Sequence, residues 1–316
     1  MIKKNINNPV YKDLKKLKLI NDRNIILLNK FTRDKKIKVY QDKKTKIVFL
    51  EKFVRLTDYY KKQKGSTRDR QKSITYLRDG TVLKTSKVNF KNEKNSIKNN
   101  IVGDDIRRFE KFKKYLKNKK ICDFGCGYAG FLTLSKKKTP NLFGIELNKF
   151  FLDYLNKNKK YIKINSSINK FNINFDIVSM FHVLEHLPNQ IEILTNIRKK
   201  LKKKGKIIIE VPHSRDFLLE KFDLPEFKNF IFWSEHLVLH TKYSLISFLK
   251  KAGFKKIKIS FCQRYGFTNH LNWFLNKQPG GHDIFKDLYN EKFDQSYRNY
   301  LEENEFSDTI IAIAEK

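Results

Sequence analysis

Ile121-Cys122-Asp123-Phe124-Gly125-Cys126-Gly127-Tyr128-Ala129-Gly130 is the stretch on which the reading of this sequence turns. A short apolar run reads as a strand, two glycines follow at once, and a helix opens beyond them. Gly125 and Gly127 let the backbone bend sharply and approach a ligand where a Cβ would clash, while the helix start offers free N–H groups. Glu146 closes the next apolar run, about 20 residues on, where a carboxylate can accept ribose hydroxyls. The letters Gly125-x-Gly127-x-x-Gly130 also satisfy a dinucleotide fingerprint. Asp123 decides against NAD, because a carboxylate just before the first glycine would repel a pyrophosphate.

Outward from this loop the chain alternates between helix and strand. Asp104 can cap a helix with Ile106, Phe109, Phe112 and Leu116 on one stripe. Apolar strands follow near 120–124, 142–146, 161–164, 175–181 and 206–211, separated by stretches long enough for crossover helices. Thr241 to Lys251 reads as a helix stopped by Gly253, and strands are expected at Lys255–Phe261 and Asp308–Ala314. Such alternation predicts an α/β fold, a mostly parallel sheet with helices on both faces. The residues between the last two strands, 262–306, are too many for a simple loop and form an insertion expected to be functional.

Residues 1–100 differ: they are rich in Lys and Asn, with short apolar runs at Ile25–Leu28 and Ile47–Leu50. Gln41 to Lys46 is a polar turn between two β-prone runs, Lys38-Val39-Tyr40 and Ile47–Leu50, and reads as a hairpin. The polar stretch 84–100 reads as a linker. The expected division is a small N-terminal α+β region, 1–100, and a larger unit, 101–316.

The chain has 316 residues and a formal charge of +35. A basic surface attracts phosphates, but Lys outnumbers Arg several-fold and is spread along the whole chain, whereas phosphate and base readers lean on Arg. Nucleic acid is therefore disfavoured as a partner. Cys122, Cys126 and Cys262 show no metal-ligand spacing, so no metal is expected and a reduced, cytoplasmic setting fits. No apolar run approaches the roughly 18 residues of a membrane span.

The loop, Glu146, the run Phe175–Pro188 with Phe181, His182 and His186, and Leu201–Pro212 with its glycine turn together resemble the class I S-adenosylmethionine (SAM) dependent methyltransferases. The resemblance covers about 104–316 and implies a Rossmann-like seven-stranded sheet with SAM as cofactor. It implies that Asp123 supports the methionine amino group and the glycine loop, and that Asp123, Gly125, Cys126, Gly127, Glu146, Phe181 and His182 form the cofactor site. Ser166-Ser167 stands where many members carry an acid near the adenine.

Within that group the sequence resembles sugar C-methyltransferases of surface-polysaccharide biosynthesis. Those carry an N-terminal zinc-ribbon-like domain whose second knuckle the 38–50 hairpin resembles, although every expected cysteine is absent here. Trp233-Ser234-Glu235-His236 matches their Tyr-x-Glu-His motif. The resemblance implies His236 as the base, oriented by Glu235, with His186 lining the acceptor site. Imidazole suits that role because it titrates near neutral pH. The implied acceptor is a sugar or nucleotide-sugar, methylated at carbon or oxygen; a quinone or lipid O-methyltransferase and an RNA methyltransferase are the alternatives. The aromatics beside Arg264, Asn269, His270 and His282 in the insertion suit a sugar, and equally a packing arm or a homodimer contact.

Overall fold

The computed structural model describes residues 6–53, the short strands 74–76 and 82–84, and 101–316; most of the expected linker lies outside the described residues. The N-terminal strands are β1 (Ile25–Asn29), β2 (Val39–Asp42) and β3 (Val48–Leu50), and β4 (Ile74–Tyr76) pairs with β5 (Val82–Lys84) alone. Residues 101–316 hold β6 (Ile121–Phe124), β7 (Leu142–Ile145), β8 (Lys163–Asn165), β9 (Phe175–Phe181), β10 (Leu201–Pro212), β11 (Val238–Leu239), β12 (Lys255–Cys262) and β13 (Thr309–Glu315).

Seven strands form one sheet in the order β12-β13-β10-β9-β6-β7-β8. Only β13 runs against its neighbours, pairing antiparallel with both β10 and β12. From β6 the chain winds outward through β7 and β8, then crosses back to place β9 on the other side of β6. At such a reversal the connections leave in opposite directions and open a crevice at the carboxyl ends of the strands. The glycine loop after β6 and His182 after β9 both stand there.

Alternation along the strands sorts the core into two faces. Val178, Met180, Ile207, Ile209 and Val211 pack with Leu194, Ile197, Leu245 and Phe248 of the helices Gln190–Lys200 and Lys242–Lys251. On the other face Ile121, Ile177, Phe181 and Ile208 meet Phe109, Phe112 and Leu116 of the Gly103–Leu116 helix. That helix departs from its expected stripe, for Ile106 is 52% exposed and Arg108 is buried in its place. The cause is Glu210, which shares the Ile208 face of β10 and draws the guanidinium inward. The segment 201–206 also differs from the expected glycine turn: β10 begins at Leu201, and the register with β9 shifts between Leu201 and Lys206.

The hairpin at β2 and β3 forms as expected, in antiparallel register. Its turn is organised by the buried carboxylate of Asp42, which accepts from the backbone N–H groups of Lys44, Thr45 and Asn21. The four-stranded sheet β1-β2-β3-β11 ends on a strand from the larger unit. Val10, Leu14, Tyr40 and Phe49 belong to the same apolar cluster as Leu184, Leu237 and Val238.

Candidate active site

The glycine loop is held by backbone bonds. Gly125 and Cys126 both donate to the Ile145 carbonyl, at 2.8 and 3.0 Å, tying the loop to the end of β7. Gly125 has φ +79, and a Cβ there would come within 2.5 Å of a Val183 methyl; Gly127 has φ +52, and a Cβ there would meet nothing within 4 Å. The first glycine is thus required by both conformation and packing, and the second leaves the loop open above. The Cys126 side chain points away from the loop, to where it would meet a Cβ on Gly144, and its thiol is pushed up by burial.

Asp123 is 5% exposed, and its Oδ1 accepts from the Ser179 hydroxyl at 2.7 Å. Burial pushes its carboxyl up to about 7, although Ser179 and Arg108 pull the other way. Glu146 accepts three backbone N–H bonds, from Gly127 on Oε2 and from Leu147 and Asn148 on Oε1. A carboxylate has about four acceptor positions, so Oε2 keeps capacity for one further donor. Leu147, next to it, is 63% exposed. Ser166 accepts from Lys170 Nζ, and Ser167 accepts from the Asn169 N–H. Phe181 is enclosed by Phe112 and Phe131, with Arg108 at 4.7 Å over its ring.

Beyond β9 the chain brings together what the sequence separates. His186 and His236 meet edge to face with centroids 4.9 Å apart, and His186 Nδ1 lies 3.1 Å from the Glu235 carbonyl. Leu237 N–H donates to the Glu185 carbonyl at 2.9 Å, which fixes the two segments in register. Val183, one turn before, is the side chain against Gly125, so this cluster abuts the wall of the glycine loop.

The carboxylate beside these imidazoles is Glu185, with Oε1 3.8 Å from His186 Nε2 and 3.3 Å from His182 Nδ1. Glu235 contributes its main-chain carbonyl instead. Burial pushes Glu185 up, but His182 first and then the other imidazoles outweigh it and hold it down at about 2. Burial, then His186, pushes His236 down to about 3, so its ring is neutral at pH 7. His182 is held above its ordinary value: burial and Arg264 lower it, and Glu185 and Glu210 outweigh them.

A domain family described as "Methyltransferase domain" matches residues 98–259, just over half of the chain. The chain belongs to that family. The strand order with its single reversed strand agrees with this, and the cofactor of this methyltransferase is SAM. An uncharacterized protein of Methanocaldococcus jannaschii is 34% identical over 125 residues, 40% of this chain and 52% of that one, so the match spans about half the length of that relative. A SAM-dependent methyltransferase of Archaeoglobus fulgidus is 20% identical over 66% of this chain and 92% of its own, with a TM-score of 0.46. Phosphoethanolamine N-methyltransferase 2 of Haemonchus contortus, solved with SAM, is 15% identical over 67% of this chain and 52% of its own, with a TM-score of 0.42.

The residues of this methyltransferase fit its cofactor. Buried Asp123 and the remaining acceptor position of Glu146 suit an ammonium group and a hydroxyl, exposed Leu147 offers apolar surface, and the space above Gly127 admits a ligand against the backbone.

Several residues of the site escaped sequence reasoning. Ser179 supports Asp123, and Glu210 accepts from Arg107 at 2.8 Å and from Arg108 at 2.6 Å. An acid inside Ile207-Ile208-Ile209-Glu210-Val211 was the available signal, since a charge on a central strand needs partners. The insertion, by contrast, pairs its polar groups within itself or with residues at its edge. His270 Nδ1 meets the Tyr297 hydroxyl at 2.7 Å, Asn272 donates to the Gln278 and Pro279 carbonyls, and Arg264 donates to Asp308. His282 stays at the surface beside Asp283.

The Trp233–His236 segment is braced from the N-terminal region. Asp34 accepts from the Ser234 N–H and hydroxyl, and the Arg33 guanidinium lies 4.6 Å from the Trp233 ring centroid. Among the described residues no helix is long and apolar enough to cross a membrane.

Proposed function

We propose that the chain methylates a small-molecule acceptor, a sugar or nucleotide-sugar, in the cleft formed by the His182–Leu187 and Trp233–His236 segments. The observation that carries the reading is the meeting of His186 and His236, 4.9 Å apart, against the wall of the glycine loop. Two imidazoles and a buried carboxylate stand there, on the segment whose Val183 packs against Gly125 of the loop. SAM supplies an activated methyl group on a sulfonium sulfur. The chain positions the acceptor, excludes water and removes its proton; most of the rate comes from that positioning.

His236 is the assigned base. Its ring is neutral at pH 7 and presents a lone pair, and Glu185 stabilises the imidazolium that forms as the acceptor's proton arrives. With SAM bound, the acceptor atom would supply the electron pair of the new bond to carbon and the sulfonium would be the leaving group; the chain's part is to hold the acceptor in line. The sugar class is supported by the Trp233-Ser234-Glu235-His236 motif.

A second reading, an apolar quinone or lipid acceptor, is favoured by a separate observation. Leu275, Ile284, Leu288, Phe293 and Tyr300 of the insertion are each more than half exposed. Methyl transfer from labelled SAM to nucleotide-sugars, short-chain quinones and total RNA separates the readings. Label in the nucleotide-sugars alone supports the first, and label in the quinones alone replaces it with the second.

A further inference from the structure

Glu185, His186 and His236 are drawn into one cluster in which one ligand-type atom from each lies within 4.8 Å of the other two. Glu185 is fully buried, and neither of its carboxylate oxygens has a hydrogen-bond partner; the nearby His182 Nδ1 is off line for one. His236 Nδ1 is also buried without a partner. Two carboxylate oxygens left without an aligned hydrogen bond in a dry site cost several kcal/mol unless positive charge shares them, and His182, 3.3 Å from Oε1, meets one of them.

The tautomer of His186 points the same way. Its Nδ1 lies 3.1 Å from the Glu235 carbonyl, which can only accept, so Nδ1 carries a proton and Nε2, 3.8 Å from Glu185 Oε1, is the nitrogen left to serve as a ligand. An imidazole fixed by a backbone carbonyl on its far nitrogen is the usual support of a metal ligand. Donors around a zinc-class cation stand roughly 3 to 3.6 Å apart at metal bonds of about 2.0–2.2 Å, so modest side-chain rotations close the set.

We propose that Glu185, His186 and His236 bind one divalent transition-metal cation of the zinc class, with an open position towards an oxygen of the methyl acceptor. The ligand chemistry selects the class: two imidazoles and one carboxylate suit Zn2+, Fe2+ or Co2+, whereas Mg2+ and Ca2+ prefer oxygen ligands. Three protein ligands leave a coordination position free, as sites that act on a substrate do. The cysteines have no part in it, since all three are buried elsewhere. The proposal rests on the reading of this cleft as the acceptor site, and it narrows the acceptor to one that presents a hydroxyl or carbonyl oxygen. In the loaded protein the His236 lone pair is on the cation, so His236 acts there as a ligand and no longer as the base: the cation polarises the acceptor oxygen, whose proton leaves to solvent water as the acceptor binds and before the site closes.

The test uses the untagged full chain, stripped with a chelator and titrated with Zn2+ by calorimetry, with metal content measured after desalting and SAM affinity measured on the same samples. One equivalent of Zn2+ is expected, weakened at least tenfold in both Glu185→Gln and His236→Gln and unchanged in His282→Gln. No stoichiometric Zn2+ in a chain that binds SAM overturns the site, as does unchanged Zn2+ affinity in both cluster variants. Where a variant no longer binds SAM, Co2+ loading of the unmodified chain decides. Intense visible absorption from low-symmetry nitrogen-ligated Co2+ supports the site, and the pale spectrum of aqueous Co2+ overturns it. One equivalent of Zn2+ in a chain that methylates none of the acceptor classes supports the metal site and counts against the acceptor reading alone.

Discussion

Between Asp123 and Asn148 the buried polar groups are paired: Asp123 with Ser179, and Glu146 with three backbone N–H groups. Between His182 and His236 several are not. Of ten buried side-chain polar atoms without a partner among the described residues, five belong to His182, Glu185, Glu210 and His236. The glycine-loop half is built from Asp123–Asn148 with one outside partner, Ser179. The half around His186 and His236 is assembled from remote segments, and Glu185 there is met by imidazoles rather than by aligned hydrogen bonds. Unpaired buried polar groups are costly, so their concentration at one end of one crevice marks where the protein stores capacity for chemistry.

The sharpest way to break this contrast is to truncate each half and measure binding apart from turnover. His236→Ala is expected to lower turnover by about 10²–10⁴-fold, the usual worth of a positioned proton acceptor, with SAM affinity unchanged. Glu185→Gln should follow it, whereas Glu235→Gln should cost turnover far less. Equal losses in the two glutamate variants would undo the assignment of Glu185 as the carboxylate of the site. Steady-state kinetics alongside calorimetry reads all three.

In the cofactor half, Gly125→Ala forces a left-handed alanine and drives its Cβ into Val183. Strain and overpacking together are worth about 2–4 kcal/mol, which lowers SAM affinity roughly 100-fold. Gly127→Ala, with open space at its Cβ in the absence of a ligand, tests the cradle itself: it should spare thermal stability more than Gly125→Ala does, yet weaken SAM.

Titration sharpens the comparison next. Burial raises Asp123 to about 7, and the anionic form is the one that attracts a cationic ligand. SAM affinity should therefore be full above pH 7 and decline as the pH drops below it, by up to about tenfold per unit, because binding must then expel a proton. Asp123→Asn should bind more weakly at pH 8 and lose this dependence. A flat profile in the unmodified chain would show that Asp123 is already ionised.

The smallest expected effect concerns the brace between the halves of the chain. Asp34→Ala removes two hydrogen bonds to Ser234 and is expected to cost about 1–3 kcal/mol of stability. Because Ser234 precedes Glu235 and His236, turnover should drop several-fold while SAM affinity holds. Denaturant unfolding and kinetics on one preparation measure both.

The glycine loop, Glu146 and the alternation of strands and helices were legible because each depends on residues close in sequence: a bend needs its glycines, and a buried parallel strand needs its apolar run. The helix at 242–251 was legible through its Gly253 stop, and the structure adds Thr241 as its cap. Ile106 was misplaced because periodicity ranks residues by hydrophobicity and takes no account of a buried Glu210 on another strand that draws Arg108 inward. The polar residues of the insertion suited a ligand surface and a packing arm equally; in the fold His270 and Asn272 are bonded within their own segment. The addition of β11 to the N-terminal sheet left no trace, since two residues, Val238 and Leu239, carry no period.

The sequence by itself therefore determined the α/β sheet, the family and the cofactor, all of which follow from short-range chemistry written in consecutive residues. Only the tertiary structure decided which carboxylate stands beside His236, that Asp34 braces its segment, and that Glu185, His186 and His236 share one point. Those facts depend on distances between residues some 50 to 200 positions apart, and chain closure over such spans is set by packing of the whole molecule, not by any local preference.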